Sequence, residues 1–229
     1  MIEYIRESIK RFSEQHPHVH GKPVHILKPF TEDINFNSIL KSIESMIPES
    51  LTGNFEVIYV GDFSKFHKND RALNAFFKDG AIYITNKQES GADLIDDIVH
   101  EIAHSIEKTP EYNDIIYGDN AVESEFLAKR RTLSHIVDKP TYGILKYLNP
   151  NYNVSFDDHL YKDLGYDYLR VLTSNLFYSP YAITSLKEYW ANGFENYLLG
   201  DKQKLKDLSP MLYNVIVEVF EQGENKYEY

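Results

Sequence analysis

The chain has 229 residues, of which 42% are apolar and 14% aromatic, which suits a folded protein with a sizeable core. It contains no cysteine, which excludes disulfide bonds, cysteine-ligated zinc and thiol catalysis. Any transition-metal site must therefore use histidines and carboxylates. The net charge of −11 argues against binding to nucleic acid or to anionic membranes.

The first ten residues, Met1 to Lys10, are amphipathic and charged, and they lack the apolar core of a secretory signal. No stretch of the chain approaches the ~18 consecutive apolar residues of a transmembrane helix. We therefore expect a cytoplasmic protein without membrane association. The sequence is also compatible with a viral origin, or with secretion after processing.

Helical and extended patterns alternate in the first part of the chain. Apolar spacing predicts helices over 2–15 and 34–47. Short β-prone runs predict strands at 24–27, 55–60, 72–77 and 81–85. Asp79-Gly80 joins the last two runs and favours a tight hairpin. We expect Ala81 to Thr85 to be an edge strand, to which an extended peptide could add.

Helices dominate the rest of the chain. The predicted helices cover 93–108, 121–137, 185–199 and 208–222, with a less regular stretch at 156–176. Strands first and helices afterwards predict an α+β fold with a small mixed sheet and a mostly helical C-terminal part. We expect one domain over 1–229 that carries a helical insertion at about 111–178.

The motif His100-Glu101-Ile-Ala-His104 lies in the helix predicted at 93–108. Histidines four positions apart share one helical face and can bind one Zn²⁺ through their imidazole nitrogens. Glu101 can then act as a general base on a metal-activated water and protonate the leaving amine. This is the chemistry of a zinc-dependent endopeptidase, whose substrate is a peptide or protein.

Helical periodicity gives this helix two different faces. The apolar face consists of Leu94, Ile95, Ile98, Val99, Ile102, Ala103 and Ile106. The polar face consists of Asp93, Asp97, His100, His104 and Glu107, with Glu101 at its border. One face thus suits a core and the other a polar cleft. The alternative is a surface helix with two solvated histidines.

Such a site needs a third protein ligand, and several carboxylates compete for this role. Glu107 shares the face of His100, but one helix rarely offers three ligands to one ion. It is better placed to hold a histidine than to bind the metal. Glu188 follows Ser185 at capping-box spacing, so its alternative role is to cap its own helix.

Glu123 and Glu125 are the other candidates, because they would give the short connection to His104 that thermolysin-type sites have. Their alternative role is to form a charged helix face with Lys129 and Arg130. With one of them as ligand, the chain would be a peptidase of the kind that trims a repressor.

The segment Glu188-Tyr-Trp-Ala-Asn-Gly-Phe194 resembles a signature of the anthrax lethal factor family of gluzincins, which includes the Pro-Pro endopeptidases. In that pattern the first Glu is the third zinc ligand, and a Tyr seven residues earlier hydrogen-bonds the oxyanion. This chain has Tyr181 at that place. The resemblance implies that His100, His104 and Glu188 hold Zn²⁺. It also implies a zincin-like fold with an edge strand beside the metal-binding helix.

Two further segments, Ser179-Pro-Tyr-Ala182 and Asn192-Gly-Phe-Glu195, are similar to parts of metallopeptidases from tailed phages. Asn192 and Glu195 fall on the helical face of Glu188. Like Asp97, they are candidates for holding a ligand histidine in place.

One feature departs from the lethal factor pattern. His104 and Glu188 are 84 positions apart (188 − 104), which is longer than the family's spacing, so an insertion would lie between the ligands. This keeps Glu123 and Glu125 open as ligands. A further alternative is a protein with the zincin fold that binds a partner without cleaving it.

Other groups of polar residues show no recognisable chemistry. Asp157, Asp158 and His159 form a charged cluster that we expect to be solvated. The chain has no nucleophile elbow, phosphate-binding loop or dinucleotide fingerprint, so serine hydrolase and nucleotide-binding functions lack support.

Overall fold

The computed structural model describes residues 17–67, 73–137 and 143–225. The helix predicted over 2–15 lies outside these ranges, as does Ala72, where a strand was expected to begin. Within them, the long helices and four of the five described strands fall within a few residues of the predicted positions, and the strand His18–Val19 was not predicted. None of the helices in these ranges has both the length and the apolarity needed to cross a bilayer.

The chain divides into two compact units, residues 1–109 with 223–229 and residues 110–222. The first unit holds the sheet, and the second is helical. Together they give the α+β class that the sequence predicts. One domain over 1–229 with an insertion at 111–178 stays a prediction.

The sheet of the first unit is mixed and has the strand order β1-β2-β3-β5-β4. The strands are β1 His18–Val19, β2 Lys22–Ile26, β3 Val57–Gly61, β4 Ala75–Lys78 and β5 Ala81–Thr85. β2, β3 and β5 run parallel to one another, whereas β1 and β4 are antiparallel to their neighbours.

The edge strand differs from the expectation. β5 pairs with β3 on one side and with β4 on the other, so the prediction that Ala81–Thr85 lies at the edge is wrong. β4 is instead the outermost described strand on this side. The hairpin itself is confirmed, since Asp79 and Gly80 have φ values of 51° and 75°. A tight turn ensures that two strands pair, but it does not decide which of them faces outward.

One face of the sheet is buried against helices. Its apolar side chains are Val24, Ile58, Val60, Ile82 and Ile84, none more than 5% exposed. The helices of this unit are α1 Phe36–Met46 and α2 Gly91–Ile106. α2 packs against β4, β5 and α1, which places the predicted metal-binding helix next to the edge of the sheet.

The opposite face carries a row of aromatic rings that crosses four strands. The row consists of His25, Tyr59, Tyr83 and Phe76, with successive ring centroids 5.5, 5.5 and 4.7 Å apart. The rings are within 27° of parallel, so each turns its face to the next. Cross-strand packing of this kind stabilises the sheet and leaves mainly ring edges for solvent.

The second unit is built from helices α3 Pro110–Tyr117, α4 Ala121–Ile136, α5 Ile144–Tyr147, α6 Val154–Asp158, α7 Tyr166–Leu172, α8 Leu186–Leu199, α9 Lys202–Leu208 and α10 Pro210–Asn225. A π-helical segment covers His159–Leu164, and a 3-10 turn covers Tyr181–Ile183. The sequence did not predict α3 or α9. Pro110 ends the predicted helix before it but begins α3, because the first position of a helix does not need its N–H.

Two cations of α4 lie inside the second unit. The Lys129 ammonium donates to the carbonyl of Leu176 at 2.7 Å. The Arg130 guanidinium donates to the carbonyls of Lys146 and Asn149, at 2.9 and 2.7 Å. Burial lowers the pKa of Lys129 to about 8 and that of Arg130 to about 10. Lys129 and Arg130 are therefore buried and do not lie on a solvated helix face with Glu123 and Glu125.

Candidate metal centre

The predicted motif lies on helix α2, whose start and rotation are fixed by its cap and by its buried face. The helix begins where the Ser90 hydroxyl accepts a hydrogen bond from the Asp93 N–H at 3.2 Å, as the capping-box spacing predicts. Its apolar face is no more than 1% exposed at Leu94, Ile98, Val99, Ile102, Ala103 and Ile106, and Ile95 is half-buried. Burial of this face sets the rotation of the helix, so the histidines cannot turn toward the core.

His100 and His104 lie one turn apart on the other face. Their ring centroids are 5.0 Å apart with an angle of 78° between the planes. Both residues are half-buried, and the His104 side chain is 16% exposed. The solvated surface helix, the alternative interpretation, would leave them more open than this.

Glu101, the predicted general base, is only 7% exposed. Its charge acts on two neighbours in the same unit. Burial lowers the pKa of Lys65, and the Glu101 charge opposes this shift. The Lys65 ammonium lies 3.9 Å from the centre of the Phe76 ring. Glu101 thus lies near a cation held against an aromatic ring.

Asp97 lies one turn before His100 and Glu101 on α2. Burial raises the pKa of its carboxyl group to about 7, the Glu101 charge adds to this, and a hydrogen bond from Gln88 opposes it. Gln88 is 2% exposed and donates to Asp97 at 2.8 Å. The sequence did not point to Gln88, because its partner is nine residues away across a helix start.

Glu107 follows His104 by three positions and is 3% exposed. One of its carboxylate oxygens lies 3.7 Å from Nδ1 of His104. The same oxygen lies 3.9 Å from the Lys108 ammonium. Glu107 was expected on the polar face, and the structure places it there but out of contact with solvent.

Helix α8 carries Glu188 in its first turn. The Ser185 hydroxyl accepts a hydrogen bond from the Glu188 N–H at 3.2 Å, so the predicted cap is confirmed. This hydrogen bond uses the backbone N–H of Glu188, so the Ser185 cap is compatible with metal binding through the carboxylate. The residue is half-buried.

The other residues predicted around Glu188 lie in the same helical unit. Tyr181 is half-buried in the 3-10 turn, where its carbonyl accepts a hydrogen bond from the Thr184 hydroxyl at 2.8 Å. Asn192 is 5% exposed, and its Oδ1 has no hydrogen-bond partner in the part of the chain that the structure describes. Glu195 is half-buried one turn later.

His100 and His104 each offer a ring nitrogen on one face of α2, and Glu188 offers a carboxylate oxygen in the first turn of α8. Two imidazole nitrogens and one carboxylate oxygen are the donor set of zinc sites that keep a fourth position open.

Glu125, a competing candidate for the third ligand, is used elsewhere. Its carboxylate accepts hydrogen bonds from the Tyr189 hydroxyl at 2.7 Å and from the N–H groups of Met211 and Leu212 at 2.9 and 3.3 Å. It therefore caps the first turn of α10. Glu123 is half-buried on α4 and belongs to no group that could hold a metal, within the described residues.

The sequence matches no protein-family model and no curated protein, and the structure matches no solved structure. A functional interpretation therefore depends on the motif, on the resemblance of its segments and on the placement of the two histidines and Glu101 on α2.

Proposed function

We propose that the protein is a zinc-dependent endopeptidase in which His100, His104 and Glu188 hold the metal. The observation that carries this proposal is the pair of half-buried histidines one turn apart on α2, with ring centroids 5.0 Å apart, beside the buried carboxylate of Glu101. The gluzincin-like segment adds Glu188 as the third ligand from the sequence.

When bound, Zn²⁺ supplies a Lewis acid that polarises the scissile carbonyl and makes water a stronger nucleophile at neutral pH. The three proposed ligands leave one position open for this chemistry, as catalytic zinc sites do and structural ones do not. The absence of cysteine also fits a catalytic site, because structural zinc sites are mostly rich in thiolates.

Glu101 is the proposed general base and acid. It follows His100 directly and lies at the border between the two faces of α2, so its carboxylate would lie beside a metal held by the histidines without being a ligand. It takes a proton from the attacking water and delivers it to the nitrogen of the leaving amine. Its low exposure of 7% limits competition from bulk solvent for these proton transfers.

Tyr181 is the proposed donor to the oxyanion that forms on the scissile carbonyl. This role comes from the gluzincin-like spacing to Glu188. Such donors contribute about 3 kcal/mol of transition-state stabilisation.

Two alternatives compete with this proposal. A repressor-trimming type of peptidase would use Glu123 or Glu125 as the third ligand, and the capping contacts of Glu125 argue against it. A zincin-like protein that binds a partner without cleaving it would keep the zinc, but it would have no need of a base beside the ligands. Glu101 therefore favours the enzyme.

Cleavage of a broad peptide library, followed by mass spectrometry, tests the proposal. Wild type loaded with zinc is compared with Glu101→Gln and with Glu218→Gln, which removes the same charge from an exposed position on α10. We expect cleavage by wild type and Glu218→Gln and none by Glu101→Gln. Full zinc with no cleavage by wild type would favour the binding protein.

A further inference from the structure

His104 has a carboxylate neighbour, Glu107, that is not one of the proposed metal ligands. The carboxylate of Glu107 lies 3.7 Å from Nδ1 of His104, one helical turn along α2. The backbone of Glu107 is fixed by the helix, because its N–H donates to the carbonyl of Ala103 at 3.2 Å. The carboxylate is therefore held on the Nδ1 side of the ring.

This is a costly place for a carboxylate. Glu107 is the C-terminal cap residue of α2, where the helix dipole disfavours negative charge. It is also 3% exposed, and burial of a charged group is unfavourable unless the group is paired. Lys108 offsets part of this cost, but its side chain is 52% exposed, so solvent screens its charge.

We infer that Glu107 is a positioning residue for His104: it holds the Nδ1–H of the imidazole, so that the lone pair of Nε2 faces the metal. A neutral imidazole carries one N–H and one lone pair, and a carboxylate beside Nδ1 selects the tautomer with hydrogen there. This inference rests on the proposed zinc site.

Zinc affinity measures this role directly. Competition with a chromophoric chelator gives the dissociation constant of zinc for wild type, Glu107→Gln and Glu56→Gln, the last an exposed residue of the same unit. We expect Glu107→Gln to bind zinc about 10- to 100-fold more weakly and still to take up one ion at saturation. Glu56→Gln should match wild type.

A second readout separates positioning from a structural role. ¹⁵N NMR of the histidine rings in the metal-free protein reports the tautomer of His104. We expect the Nδ1–H form in wild type and a mixture of the two tautomers in Glu107→Gln. Equal zinc affinity and an unchanged tautomer would overturn the inference while leaving the zinc site in place.

The other outcomes are also decisive. Complete loss of zinc in Glu107→Gln at saturating metal would make Glu107 a ligand and overturn its positioning role. If wild type itself takes up no zinc, the proposed function fails, and this inference fails with it.

Discussion

The side-chain amide of Gln88 donates a hydrogen bond to Asp97, with 2.8 Å between Nε2 and Oδ2. This bond joins the loop before α2 to the turn that precedes His100. It favours the ionised carboxylate, yet burial and the charge of Glu101 outweigh it and raise the pKa of Asp97 to about 7. Asp97 is thus a carboxyl group that can be protonated near neutral pH in the metal-free protein.

This raised pKa predicts a pH dependence of stability. An unfolded Asp titrates near 3.8, so between pH ~4 and 7 the native state keeps a proton that the unfolded chain has lost. The stabilising contribution is complete below pH ~4 and is lost as the pH rises through about 7. Asn at this position does not titrate. The stability of metal-free wild type relative to Asp97→Asn should therefore fall by roughly 4 kcal/mol over this range, since one pKa unit corresponds to about 1.4 kcal/mol.

Urea unfolding of both proteins at several pH values, in the presence of a chelator, measures this difference. Comparison with Asp97→Asn cancels the titration of the other carboxylates. A difference that stays constant from pH 4 to 8, or rises with pH, would show that Asp97 titrates normally in the folded protein.

Removal of the Ser185 hydroxyl should destabilise the helix that carries Glu188. Ser185→Ala deletes the acceptor for the Glu188 N–H, and loss of such a cap costs about 1 kcal/mol. Ser185→Asp keeps an acceptor and should retain most of the stability. The free energy of unfolding in urea checks both. Equal stability of the Ala and Asp variants would mean that the cap contributes nothing here.

Glu125 should matter for stability and not for metal binding. Glu125→Gln weakens the capping of α10, where the carboxylate accepts from Met211 and Leu212, and should cost about 1–2 kcal/mol. Zinc content at saturation should equal that of wild type. Loss of zinc from this variant, with retention in Glu188→Ala, would favour the short-spaced peptidase instead.

Arg130 should be difficult to replace. It is fully buried and donates to two backbone carbonyls, which would lose their partners in Arg130→Met. We expect a loss of about 3 kcal/mol, read from the urea midpoint. Arg130→Lys keeps the positive charge but has a single ammonium in place of the planar guanidinium. Its stability should therefore lie between those of wild type and Arg130→Met. A stable Met variant would show that an apolar side chain can replace the buried cation.

Much of the candidate site could be predicted from the sequence, because it depends on short-range rules. Helical periodicity places His100 and His104 opposite the buried face of α2. Ser90 and Ser185 cap α2 and α8, as their spacing to Asp93 and Glu188 predicts. The Asp79-Gly80 turn is also a local property, since both residues tolerate positive φ.

Features that depend on contacts between distant residues could not be predicted. Glu125 meets Met211, which is 86 positions away, so no local pattern reveals its capping role. His159 was expected to be solvated but is 2% exposed, with Nδ1 2.9 Å from Asp163 and Nε2 3.2 Å from the hydroxyl of Tyr147. β4 likewise lies at the edge because β5 pairs with β3. The Asp79-Gly80 turn predicts that β4 and β5 pair, but it does not predict which of them pairs with β3.

The central claim is that this chain holds one catalytic zinc through His100, His104 and Glu188. Elemental analysis of zinc per chain, on wild type, Glu188→Ala and Glu101→Gln purified without chelators and offered zinc, tests it most directly. We predict about one zinc in wild type and in Glu101→Gln, and loss of the metal in Glu188→Ala, because two histidines alone hold zinc weakly. A wild type that stays empty would contradict the claim and remove the basis for the peptidase.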